Sequence, residues 1–171
     1  KLCHTLNCNK IIVGSSQFRN KLKLKKIFAD KIFCNFLKKT IPLLEKNKIF
    51  FCLETIPKQY NEKYLYNFKD TVNIVKKINS KWIKINYDTS IFHYKKINLN
   101  EFNRNIKIIK NIQISEKQFK YFTNPSKKNI KFINKLKKNN KIKDVSFEMI
   151  SNNTDFTKLD LSIENINKLF T

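Results

Sequence analysis

The chain has 171 residues, with 36 Lys and Arg against 13 Asp and Glu for a formal net charge of +23; that length suits one domain with its own hydrophobic core. Only Arg19 and Arg104 are Arg, the lysines run along the whole chain, and Gly14 and Ala29 are single occurrences amid abundant Lys, Asn, Ile and Phe, so the charge reads as A/T-rich codon usage with solvated lysine faces. Nucleic acid is disfavoured as a partner, because its readers more often use Arg for bidentate contacts, and no membrane partner is expected, because no apolar run approaches the roughly 18 residues of a spanning helix.

In chain order, short apolar runs alternate with stretches of helical period. Strands are predicted at residues 10–14, 49–54, 82–88, 108–114 and 145–148. Between them, residues 22–39 place Leu24, Ile27, Phe28, Ile32 and Leu37 near one helical face, and 67–78 place Val72, Val75 and Ile78 on another. A shorter helix is expected at 98–107. Helices at 128–138 (Ile130, Ile133, Leu136) and 161–170 (Ile163, Ile166, Leu169, Phe170) complete the pattern. Asn124-Pro125-Ser126 breaks the chain before the fourth of these helices. No hairpin turn separates the strands, so the order argues for parallel βα units in an α/β fold. No linker divides the chain, and a single domain over residues 1–171 is expected. Cys3, Cys8, Cys34 and Cys52 form no C-x-x-C pair and read as free thiols of a reducing cytoplasm, the expected location.

Parallel βα barrels gather chemistry at the C-terminal ends of their strands. Here the second strand ends at Glu54, the third at Asp88, the fourth near Gln113 and the fifth at Glu148. The separations are 34, 25 and 35 residues (54 to 88, 88 to 113, 113 to 148), against about 31 per unit in a full barrel. Carboxylates crowded into one pocket repel unless a cation neutralises them. Carboxylate and amide oxygens suit Mg²⁺ or Mn²⁺, with Zn²⁺ or Co²⁺ as alternatives. Such an ion binds sugar hydroxyl and carbonyl oxygens and stabilises an enediolate, while a carboxylate moves the proton beside the carbonyl. Each acid could equally be a helix cap or a solvated loop residue.

Five segments in order resemble the sugar phosphate isomerase/epimerase family with the xylose-isomerase-like barrel. They are residues 10–19 (Lys-Ile-Ile-Val-Gly-Ser-Ser-Gln-Phe-Arg), 53–57 (Leu-Glu-Thr-Ile-Pro) with Tyr60 and Asn67-Phe68, 83–89 (Ile-Lys-Ile-Asn-Tyr-Asp-Thr), 112–116 (Ile-Gln-Ile-Ser-Glu) and 145–149 (Val-Ser-Phe-Glu-Met). The resemblance implies a partial (β/α)8 TIM barrel whose strands are the fourth to eighth, with the N-terminal units missing from this sequence, which starts at Lys1 without an initiator Met. It further implies a divalent metal at the barrel mouth, with Glu54, Asp88 and Glu148 as ligands and Glu54 and Glu148 as the catalytic acid/base pair. Gln113 stands where the family places a metal-binding His. A substrate-contacting His three residues after the Asp is replaced by Ile91, and His93 lies five residues on. Arg19, after the Gly-Ser-Ser turn, is a candidate for an anionic substrate group; Lys58 and Tyr60 are candidate rim contacts.

The expected function is therefore a metal-assisted sugar (phosphate) isomerase or epimerase acting on a small carbohydrate, with homo-oligomer formation left open. One alternative is a catalytically silent barrel relative that serves as a binding protein, motivated by Gln113. The other is an apurinic-site endonuclease-like nuclease, which a chain whose only histidines are His4 and His93 supports poorly.

Overall fold

A computed structural model describes residues 2–14, 19–94, 99–138, 144–150 and 155–171. The chain divides into two compact units. The first takes Lys1–Tyr87 and Asn98–Asn111, the second Asp88–Ile97 and Ile112–Thr171.

The first unit contains α1 (Leu2–Thr5), β1 (Lys10–Val13), α2 (Lys26–Asn47), β2 (Phe50–Glu54), α3 (Phe68–Ile78), β3 (Ile83–Asp88, its last residue belonging to the second unit), α4 (Leu99–Arg104) and the start of β4 (Ile109–Ser115). β1 pairs with β2 in parallel register, Lys10 to Phe50 through Val13 to Leu53. β2 pairs in parallel with β3, Phe51 to Ile83 through Glu54 to Asn86. The second unit holds the end of β4, α5 (Lys127–Lys137), β5 (Val145–Glu148) and α6 (Phe156–Phe170). There β4 and β5 run parallel, Ile112 opposite Val145 and Ser115 opposite Glu148. The sheet order is β1-β2-β3-β4-β5. All five strands lie where the sequence places them, and the parallel pairing agrees with the absence of hairpin signals.

Pleating sorts each strand into an apolar and a polar face. In β3, Ile83 and Ile85 are fully buried, and Tyr87 meets Phe68 of α3 and Phe102 of α4 with ring centroids 5.0 and 4.8 Å apart. Asn86 turns the other way, where its Oδ1 accepts from Asn111 Nδ2 at 2.8 Å. In β4, Ile112 and Ile114 are buried on the apolar face, leaving Asn111, Gln113 and Ser115 on the polar one. In β5, Phe147 packs edge-on against Phe122 and Phe170, so Ser146 and Glu148 share the opposite face.

Helix starts follow local chemistry. The Asn67 side chain accepts from Lys69 N, Ser126 from Asn129 N and Asp155 from Lys158 N, which caps α3, α5 and α6. Two helices differ from expectation. α2 runs on to Asn47 across Pro42 and stops at Lys48, whose φ of 54° closes the turn. Its buried residues are Ala29, Cys34, Leu37 and Leu44, whereas Ile27, Phe28 and Ile32 are exposed. The helix carries two adjacent apolar rows, and periodicity alone could not choose between them; Phe33 settles beside Tyr64, ring centroids 5.6 Å apart. α6 begins at Phe156, ahead of the expected residue 161, because Asp155 supplies the cap. Only Ser162 of α6 is buried, and Ile163 is exposed. Among the described residues no helix is long and apolar enough to cross a membrane.

The second unit's core centres on aromatic rings. Phe92 and Phe132 meet at 74° with centroids 5.1 Å apart, each 1% exposed. Phe132→Ala should therefore destabilise the protein by about 3–5 kcal/mol, as measured by urea denaturation; a loss below about 1 kcal/mol would show that the ring is not packed as described.

Candidate active site

Glu54 ends β2 in the first unit and is buried. Its Oε1 accepts from Asn86 Nδ2 at 3.3 Å. The one glycine of the chain explains part of this placement. A Cβ added at Gly14 would fall 1.6 Å from Glu54 Oε2 and 3.1 Å from Glu54 Cβ, so the carboxylate occupies the space that any other residue at 14 would fill. Arg19 fixes the main chain at the same point. It is 6% exposed; Nη1 donates to Glu54 O at 2.6 Å and Nη2 to Glu62 Oε2 at 2.8 Å. Glu62 Oε1 in turn accepts from the backbone N–H groups of Lys63 and Tyr64. Of the Gly-Ser-Ser turn expected to face an anion, Ser15 and Ser16 lie outside the described residues. Lys58 is exposed with its Nζ 4.3 Å from the Tyr66 ring centroid, and Tyr60 closes the short turn that follows Glu54.

Asp88 ends β3 and is 3% exposed. Its Oδ1 accepts from Ser90 N at 2.6 Å and from the hydroxyl of Ser115. Ser115 stands at the tip of β4 and pairs in register with Glu148 at the tip of β5. Asp88 and Glu148 therefore come together in the second unit. Burial, together with the negative charge of Asp88 and a hydrogen bond between the two acids, pushes the Glu148 carboxyl up to about 7. Carboxylates this close share a proton or require a cation. Gln113, expected near the end of a strand over 108–114, lies inside β4. It lies two residues short of the tip, on the polar face, opposite Ser146. β4 continues to Ser115 because Ile114 keeps its alternation for one more pleat.

Around Ser115 is a hydrogen-bonded shell that the sequence reading missed. Thr89 Oγ1 accepts from Ser115 N at 3.0 Å and lies 3.2 Å from Ser115 O. Asn129 Nδ2 donates to Ser115 O and to Glu116 Oε1. His93 Nε2 lies 3.2 Å from Ser115 O; a carbonyl can only accept, so this nitrogen carries the proton. The same ring is 3.8 Å from Glu116 Oε2. His93 is thus placed at the end of β4, next to the residue that holds Asp88. The available signal was the polar run Asp88-Thr89-Ser90, whose short side chains favour local turns.

A family model described as xylose isomerase-like TIM barrel matches residues 1–155. The chain belongs to the xylose isomerase-like TIM-barrel family. Solved structures agree on the fold. An L-ribulose 3-epimerase superposes with a TM-score of 0.77 at 13% identity, over 99% of this chain and 63% of that one. A D-psicose 3-epimerase with D-tagatose from Clostridium cellulolyticum H10 gives 0.76 at 10% identity, over 98% and 66%. The IOLI protein with a bound zinc atom gives 0.71 at 17% identity, over 98% and 65%. The chain therefore spans less than two thirds of the length of these structures. No curated protein sequence matches.

Two measurements test the site. Gly14→Ala should cost about 1–3 kcal/mol by overpacking against Glu54. In a double-mutant cycle Glu54→Ala should recover much of that loss; strictly additive effects would refute the contact. Glu148 predicts a pH signature. Its carboxyl is raised in the fold from the usual 4.5 to about 7. Between those values the unfolded chain gives up the proton while the folded protein keeps it. Metal-free stability should therefore fall as pH rises from about 4.5 to 7 and level off above. Glu148→Gln should flatten that fall in denaturation at pH 5 and pH 8 with chelator present; an unchanged profile would contradict the assignment.

Proposed function

We propose that the complete protein is a sugar epimerase or isomerase that works through a divalent cation held by Asp88 and Glu148, with Glu54 as the third ligand that the family resemblance implies. The observation that carries this reading is the Asp88–Glu148 pair, two acids brought together at neighbouring strand tips with Glu148 raised to about 7. Glu54 closes β2 and pairs in register with Asn86 of β3. The donor set is all oxygen, which suits Mn²⁺ or Mg²⁺, and a zinc-bound relative has the same fold. Gln113 adds an amide oxygen on the polar face of β4.

The ion, when bound, would polarise the substrate carbonyl as a Lewis acid. The protein's own residues would do the rest. One of Glu54 and Glu148 takes the proton from the carbon beside the carbonyl, and the other returns one from the opposite side. Asp88, held by Ser90 N and Ser115, keeps its charge fixed in direction. Relatives of this fold include a D-psicose 3-epimerase with D-tagatose, which supports a small carbohydrate as substrate. Location in the cytoplasm is part of the same reading.

Calorimetry with Mn²⁺ tests the proposal. The protein should bind the ion, and Asp88→Asn and Glu148→Gln should each weaken binding by at least about tenfold. No detectable Mn²⁺, Mg²⁺ or Zn²⁺ binding would defeat the metal reading and favour a binding protein that has lost catalysis.

A further inference from the structure

The segment ahead of β1, in the first unit, brings two thiols together. α1 runs into a turn with three main-chain hydrogen bonds: Leu6 N donates to Leu2 O at 2.9 Å, Asn7 N to His4 O at 3.1 Å and Cys8 N to Cys3 O at 2.8 Å. Asn7 takes the left-handed conformation, with φ of 47°. This is the Schellman pattern, in which the residue after the left-handed one bonds back six positions along the turn and the two side chains at its ends come into contact. Here those two side chains are Cys8 and Cys3.

The spacing suits a bond between the sulfurs. With ordinary bond lengths on either side, a 2.8 Å bond from Cys8 N to Cys3 O limits the Cα separation to at most roughly 6.7 Å. Disulfides span about 4.4–6.8 Å. The side chains already meet. A hydrogen bond to Cys8, with burial as the next cause, holds the Cys3 thiol above its ordinary pKa, so Cys3 keeps its proton and offers it to the Cys8 sulfur. Access separates this pair from the other two thiols: Cys8 is exposed and Cys3 half-exposed, whereas Cys34 and Cys52 are buried. Both sides of the turn are anchored. His4 Nε2 lies 3.1 Å from Asn47 Oδ1 on α2, and Asn9 O, next along the chain, accepts from Phe50 N of β2 at 2.8 Å.

We propose that Cys3 and Cys8 are a reversible dithiol–disulfide pair, closed by a small-molecule disulfide such as glutathione disulfide. The exposed Cys8 thiolate attacks one sulfur of that molecule, whose S–S bond breaks and releases one thiolate. Cys3 then gives its proton to water, attacks the Cys8 sulfur of the mixed disulfide and expels the second thiolate. The protein loses two protons and two electrons, and one small disulfide becomes two thiols. A reducing thiol pool drives the same steps backwards, so the pair rests as two free thiols until that pool is oxidised. The clasp fixes the turn that feeds the edge strand β1 and is independent of the sugar chemistry.

The full chain is equilibrated in glutathione buffers of graded ratio, quenched with acid, alkylated and cut with trypsin, which leaves both thiols on the peptide of residues 2–10. Mass spectrometry should show that peptide losing two hydrogens in oxidised buffer and regaining them in excess reduced glutathione, while Cys34 and Cys52 stay unmodified. A stable mixed disulfide with glutathione as the end product, or a link from Cys3 or Cys8 to a second chain, would overturn the proposal. Two variants ask whether the native turn holds the pair together. Asn7→Gly keeps the left-handed conformation and should leave the oxidation midpoint within about twofold. Asn7→Val disfavours it and should require a glutathione buffer more oxidising by about fivefold or more. Equal midpoints in the two variants would show that the turn does not pair the thiols, and would sink the idea.

Discussion

Two acids withdrawn from water beside each other set the terms for the rest of the second unit. Burial disfavours the ionised form of Glu148, the charge of Asp88 adds to that, and together they hold the Glu148 carboxyl near 7. Nothing in strand packing asks for this. A sheet built only for stability would place apolar or singly charged residues there. The arrangement persists because Asp88 is fixed from two sides, by Ser90 N and by the Ser115 hydroxyl. Stored repulsion of this kind is relieved by a proton or by a cation, and both reliefs are useful in moving protons next to a carbonyl.

Burying polar groups demands partners, and the polar faces of the strands supply them. Asn86 is the link in the first unit, accepting from Asn111 and donating to Glu54. Ser115 is the link in the second, engaged by Thr89, Asn129, His93 and Asp88. Asn129 is itself fully buried on α5. A helix residue thus fixes the end of a strand, and through it the direction of a carboxylate. Removing one such amide would leave another buried group unpaired, which costs more than the bond contributes. The apolar faces follow simpler logic, with Tyr87, Phe92, Phe122 and Phe147 meeting neighbouring rings edge to face.

The sequence showed the strands because β-branched and aromatic residues cluster in short runs and because each run ends in a polar residue. Glu54, Asp88 and Glu148 were legible for the same reason: an acid closing an apolar strand is conspicuous. The site's supports were not. Ser115, Thr89 and Asn129 are ordinary residue types, and their importance comes from contacts between segments far apart in sequence. Gln113 is conspicuous as a polar residue near the end of its apolar run, and the strand tip lies one pleat beyond it, at Ser115. α2 shows the opposite failure. Its rows at Phe28, Ile32 and Phe36 and at Ala29, Phe33 and Leu37 are both apolar, and only the packing of Phe33 beside Tyr64 decides which is buried.

The lysine excess looks different once the loops are placed. Many of the basic residues, among them Lys31, Lys38, Lys76 and Lys131, sit on exposed helix faces, where a charge contributes little to stability and is screened by salt. A uniform positive surface attracts every anion weakly and selects none. Selection needs concavity and a second kind of donor, because a cleft limits how many waters a dianion must keep and a hydroxyl fixes its orientation. Lys117, Lys120 and Tyr121 line one concavity of the second unit, and the Tyr121 oxygen accepts from Asp155 N. Composition alone counts these two lysines with all the others; the loop that carries them past the tip of β4 is what separates them from the background.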